Sequence, residues 1–153
     1  MVKTAAVTGA ALVLLAGGGV GAARWHDAQV AQCHDRSAQF ATADVLARVP
    51  PGFRADEVVA GCQFDPLVAA AGRQVTSRAV TDDDTPAITA YYRAALAGWE
   101  FSGWTPEPGE NAALLCARKE SAAGTMYVSV TPGLPGTYDV LLTDADGHGG
   151  RCH

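Results

Sequence analysis

Between Lys3 and Arg24 the chain runs for twenty residues, Thr4 to Ala23, without a charge, and its most apolar patch is Ala10 to Ala16. As a helix such a run spans about 30 Å, close to the thickness of a bilayer's hydrocarbon core. A short basic start, an apolar centre and small residues at Val20 and Ala22 are also the pattern of a secretory signal. A buried core helix fits less well, because Gly17, Gly18, Gly19 and Gly21 each cost a helix in water about 1 kcal/mol relative to alanine. Two readings of residues 1–23 therefore stand, signal peptide and signal anchor. Trp25, just past the run, suits a membrane interface and leans toward retention. The first cysteine is Cys33, too far beyond the run for lipidation of the bacterial lipoprotein kind.

Residues 24–48 contain no Gly or Pro, and Val30, Cys33, Phe40, Ala43 and Ala47 recur at helical spacing. The spacing predicts one helix, closed by the "VPPG" of Val49–Gly52, since proline lacks an amide hydrogen and forces its predecessor toward extended backbone. From Phe53 the period shortens. "DEVVAGCQF" and "RQVTSRAVT" predict two strands joined by a loop over Asp65–Gly72. "DDDTPAITAYYRAALAGW" predicts a helix with Thr85 as N-cap and Pro86 at the first helical position. Its buried stripe is Ile88, Tyr92, Ala95 and Trp99, and Gly98 lies at its end. After "EFSGW", alternation marks three more strands, "AALLCARK", "TMYVSVT" and "TYDVLLT". Met126, Val128 and Val130 share one face, as do Tyr138, Val140 and Leu142, and "ESAAG" and "PGLPG" are the turns. The pattern predicts an α+β fold: an N-terminal hydrophobic helix, then an antiparallel sheet with helices packed on one face as a two-layer sandwich. The organisation is residues 1–23 as signal or anchor, 24–50 as a helical segment and 51–153 as an α+β extracytoplasmic domain.

Cys33, Cys62, Cys116 and Cys152 are even in number and form no C-x-x-C pair, so disulfides in an oxidising compartment are expected rather than a zinc or redox site. Three connectivities exist. Cys33 with Cys62 and Cys116 with Cys152 is favoured, because each bond then ties a terminal segment to the middle of the domain. The net charge is −5, and nine arginines and two lysines form no basic run. No nucleic acid partner is expected, because phosphate binding needs clustered cations.

Candidate chemistry is sparse. "DADGHGGRCH" places Asp144, Asp146, His148, Cys152 and His153 together, but the spacing is not that of an EF-hand, and a turn with a disulfide accounts for it. His26 and His34 lie near Cys33 and Asp35, yet Cys33 and His34 are sequence neighbours and point apart on a helix. Asp82, Asp83 and Asp84 sit where a helix start favours negative charge. No metal or catalytic residue and no cofactor is assigned, and "GGGVG" lies inside the apolar run rather than after a strand. Among Tyr91, Tyr92, Trp99, Phe101 and Trp104, most are expected in the core. Tyr91 and Trp104 are the candidates for ligand contact.

The apolar start, "YYRAALAGWEFSGW", "LLCARK" and "YVSVTPGLPGTYDVLLTDADG" together resemble small exported or single-pass cell-envelope proteins of unknown function from high-GC actinobacteria, over roughly residues 80–145. The resemblance implies placement in the envelope and supplies no site residue. The expected function is a non-enzymatic cell-envelope protein, anchored or secreted, whose domain contacts an envelope protein or cell-wall partner. The alternative is a small secreted hydrolase, whose Asp and His residues only the fold brings together.

Overall fold

The computed structural model describes residues 7–63, 67–78, 84–105, 112–122, 124–144 and 151–152, with side chains from residue 24 onward except at 104–105 and 151–152. The chain divides into two units, residues 1–32 and 33–153. The first helix, α1, covers Val7–Ala41. Within the first unit, residues 24–32 are exposed apart from half-buried Val30, and Trp25 is 66% exposed. The expectation of an anchor or signal falls on residues 4–23, whose side chains lie outside the described residues. Among the described residues no helix is long and apolar enough to cross a membrane.

The second unit is α+β, with an antiparallel sheet of seven strands and few helices. The helix expected over 24–48 is interrupted at Thr42–Ala43. The Thr42 hydroxyl donates to the Gln39 carbonyl at 2.8 Å, and Ala43 takes extended backbone. Such a local side-chain bond competes with the helical ladder. A four-residue helix, α2 (Asp44–Ala47), then restarts on the Ala43 carbonyl and buries Val45 and Leu46.

The strands are β1 (Phe53–Ala55), β2 (Val59–Gln63), β3 (Val68–Ser77), β4 (Glu100–Ser102), β6 (Leu115–Ser121), β7 (Gly124–Pro132) and β8 (Thr137–Thr143), with the short β5 (Trp104–Thr105) and β9 (Arg151–Cys152) paired separately. The order is β1-β3-β8-β7-β6-β4, and β2 also pairs with β3. Two expectations are corrected here. Residues 68–72 belong to β3 rather than to a loop, although their alanines favour strands poorly. They lie between β2 and β8, where Ala71 pairs with both Ala60 and Leu142. The strand expected to run to Thr81 ends at Ser77, and positions 79–81 lie outside the described residues. Phe53–Ala55, not foreseen as a strand, pairs with Ser77–Val75.

Antiparallel register sets directly opposed residues on one face. One row across the sheet is Ala117, Val128, Leu142 and Ala71, and the next is Leu115, Val130, Val140 and Arg73. All but Arg73 are buried, and they join one core cluster with Cys33, Phe40, Val45, Leu46, Ile88, Tyr92 and Leu96 from the helical segments. The third helix, α3 (Thr85–Ala95), has Asp84 rather than Thr85 at its N-cap, so Pro86 takes the second helical position rather than the first. Its stripe continues through Leu96 instead of Trp99, because the helix has ended and Gly98 turns the chain at φ +84°. A residue with a side chain is strained in that left-handed region.

Candidate functional site

Cys33 and Cys62 are joined by a disulfide, as the spacing led us to expect, and their Cα atoms are 6.0 Å apart. The bond fastens the last turns of α1 to β2. Cys116 is also disulfide-bonded. The side chain of Cys152 lies outside the described residues, but the backbone of β9 pairs with β5 and also contacts β6, the strand that carries Cys116.

Among the described residues of the second unit lies an apolar cleft of about 220 Å³. Phe40 and Ala43 come from the end of α1 and its break, Met126 and Leu142 from neighbouring strands, and Trp99 from the turn after α3. Met126 and Leu142 reach it because their alternating positions point to the core face, while the turn at Gly98, after the helix has ended, brings Trp99 alongside. The ammonium of Lys119 sits 5.9 Å from the Trp99 ring centroid, a cation–π contact that helps hold this wall.

One ion pair borders the cleft. Arg36 Nη1 lies 2.6 Å from Asp144 Oδ2, and the Asp144 side chain is 12% exposed against 40% for Arg36. Asp144 is held from a second side, since the Ala69 amide donates to its Oδ1 at 2.9 Å. A carboxylate fixed by both a cation and a backbone amide is a rigid acceptor. The more exposed guanidinium retains donors that can face a ligand.

A second polar group lies deeper. Arg73 projects from the core face of β3 and donates from Nη1 to the Leu46 carbonyl and from Nη2 to the Asp56 carbonyl, each at 2.6 Å. It thereby joins α2 to the link between β1 and β2. Tyr92 is fully buried, with Tyr91 in an edge-on contact at 5.2 Å between ring centroids. Its hydroxyl has no hydrogen-bond partner among the described residues. Burial pushes the Tyr92 hydroxyl up to about 12, Tyr91 adds to this and the Arg73 charge opposes it. On the opposite face of the sheet, Arg118 Nε donates to Glu100 at 2.9 Å across β4 and β6, and this bond holds the Glu100 carboxyl below its ordinary range.

Of the candidates for ligand contact, Tyr91 is half-buried, and the side chain of Trp104 lies outside the described residues. Phe101, expected in the core, is exposed beneath the Arg93 guanidinium, 5.2 Å from its ring. His26, His34 and Asp35 are exposed, whereas Cys33 is buried in its disulfide. Asp146, His148 and His153, with Asp82 and Asp83, lie outside the described residues. Among the described residues no group of three or more His, Cys, Asp and Glu side chains gathers as metal ligands would. The cleft itself was partly legible, because Phe40, Met126 and Leu142 belong to periodic apolar stripes. Nothing in the sequence links Arg36 with Asp144. Comparison with known proteins finds no matching family model, no matching curated protein and no matching solved structure.

Proposed function

We propose that the chain is a non-enzymatic binding domain of the cell envelope, held at the membrane through residues 4–23 or released when that segment is cleaved. The observation that carries this reading is the apolar cleft formed by Phe40, Trp99, Met126 and Leu142, with Arg36 and Asp144 at its border. An apolar cavity of about 150 Å³ already takes a benzene-sized guest. The cleft therefore has room for one aromatic or branched aliphatic group of an envelope protein or cell-wall partner, with a polar atom of that partner placed at Arg36. The Cys33–Cys62 bond suits an extracytoplasmic site, since oxidised thiols persist there and are reduced in most cytoplasms. A second bond from Cys116 to Cys152 belongs to the same reading, supported by the linkage of Cys116 and the contact of β9 with β6.

Met1 and Met126 are the only methionines, so methyl-labelled methionine gives the cleft its own NMR signal. Titrating the full chain with toluene and with hexanoate is expected to shift the Met126 methyl, and Ala43→Phe, which fills the cleft, to abolish the shift. A Met126 signal unmoved by either probe would sink the cleft as a binding site. The compartment is tested separately by intact mass in membrane and medium fractions. Four thiols that appear only on reduction are expected, and free thiols in the untreated chain would overturn the placement.

A further inference from the structure

We propose that the outer edge of β2 is a docking rail for an extended segment of a partner protein, which adds to the sheet as a further strand. The segment carries an apolar residue opposite Gly61 and a basic residue toward Asp56 and Glu57. The backbone of β3 identifies which groups of β2 are available. Ala69 exchanges hydrogen bonds with Asp144, just past the end of β8, and the Ser77 amide donates to Gly136, just before its start. The Gln74 carbonyl instead accepts from the Asp56 amide, on the side of β1 and β2. Odd-numbered residues of β3 therefore address β8 and even-numbered ones address β2, as antiparallel alternation requires. Val59, Gly61 and Gln63 stand opposite Gly72, Ala70 and Val68, so their amides and carbonyls turn inward. The amides and carbonyls of Ala60 and Cys62 turn outward, and among the described residues no strand pairs with that edge.

Sheet edges are usually guarded by a charge, a proline or a bulge. "VAGCQ" itself has neither charge nor proline, and Val59 is 75% exposed; the bulge on this edge lies before β2, where Asp56 bonds Gln74 but Val59 stands opposite Gly72. On the face away from the core, small residues leave a depression of about 180 Å³ beside the edge, lined by Val59, Gly61, Ala70, Gly72 and Leu141. Gly72 fits closely there, because a Cβ would meet both Leu141 Cδ1 and the Val140 carbonyl at 3.1 Å. A residue of an added strand opposite Gly61 would project over this depression, which sets the apolar preference. The disulfide at Cys62 holds the strand from its core side, so little ordering remains to be done on binding.

Charge selects the occupant. Asp56 and Glu57 are exposed in the link between β1 and β2 and have no ion-pair partner among the described residues. Residues 55–67 contain no cation, so a β2 strand from a second copy brings no counter-charge, whereas a basic partner segment does.

The test uses the oxidised full chain and two blocked synthetic peptides of alternating valine and threonine, one flanked at both ends by lysine and the other by glutamate. Hydrogen exchange read by NMR at Ala60 and Cys62 is expected to slow at least tenfold with the lysine peptide. That peptide should bind about fivefold more tightly than the glutamate one, the scale of one exposed charge contact, and the order should reverse in the Asp56→Lys, Glu57→Lys variant. Ala60→Pro removes an outward amide that the β2–β3 ladder does not use, and it should abolish binding. Gly61→Leu, where a Cβ meets nothing within 4 Å, should weaken binding by filling the depression. Unchanged exchange at both amides with about 1 mM peptide, where even weak recognition shows, overturns the proposal. So does prior protection of those amides in a chain that elutes as a dimer, which would assign the edge to a second copy. Neither outcome bears on the Met126 signal, so the edge and the cleft stand or fall separately.

Discussion

Tyr92 offers a direct measure of how the core treats a polar atom. Its side chain is fully buried and its hydroxyl has no partner among the described residues. Burial and the neighbouring Tyr91 therefore push the hydroxyl up to about 12, from 10.0 in the unfolded chain. Because the folded-state value is the higher one, the native state holds its proton where the unfolded state has released it. This contribution is complete below pH 10 and is lost as pH rises toward 12. Linkage gives a loss of about 1.4 kcal/mol between pH 8 and pH 11, and about 2.7 kcal/mol over the full interval. Urea unfolding at intervals from pH 8 to pH 11, where disulfides survive a short experiment, should show this slope in the native protein. Tyr92→Phe should remove it. At pH 8 the variant should be close to neutral, because the buried hydroxyl it deletes is unpaired and the ring is kept. Parallel pH profiles for the two proteins would refute the argument, since the alkaline loss would then arise elsewhere.

Two other perturbations probe the ties between elements. Replacing Cys33 and Cys62 with serine removes a bond across a sequence separation of 29, and the chain-entropy relation puts the loss at about 3.6 kcal/mol. Denaturant midpoints of the variant and of native protein should differ accordingly, and equal midpoints would mean that the bond does not constrain the unfolded chain. Arg73→Met deletes both hydrogen bonds to the Leu46 and Asp56 carbonyls, with an expected cost of about 2–3 kcal/mol because charged donors are lost from a partly buried position. It also withdraws the charge that holds the Tyr92 hydroxyl down, so phenolate absorbance at 295 nm should show Tyr92 ionising at still higher pH. An unchanged titration would separate Arg73 from Tyr92.

The strands from Leu115 to Thr143 were readable because alternation there coincides with a single buried face, as in Val128 and Val130 against Leu142 and Val140. Proline and aspartate placed the start of α3 to within one residue. What the sequence concealed depended on neighbours distant along the chain. Alanines 69–71 favour strands little by themselves and are extended because β2 and β8 clasp them from both sides. The break at Thr42 turns on one hydroxyl choosing a carbonyl three residues back. Arg36 and Asp144 are both ordinary surface residue types, and only the folded sheet carries the end of β8 to the last turns of α1. Trp99 reads as the end of a helical stripe. It becomes a wall of the cleft because the helix has already ended at Ala95 and Gly98 turns the chain.

The position of β8 has a consequence for assembly. Among the described residues the last long strand, β8, lies inside the sheet, flanked by β3 and β7. Until residue 143 is available, β3 and the β6–β7 hairpin have no shared partner, and each presents a raw edge. The two pairings that join the halves of the sheet, β3 with β8 and β7 with β8, thus wait for β8, and such non-local pairing favours slow closure. If the polypeptide is threaded across a membrane from its N-terminus, this ordering keeps the two halves of the sheet apart until β8 has passed. The sheet then closes on the far side.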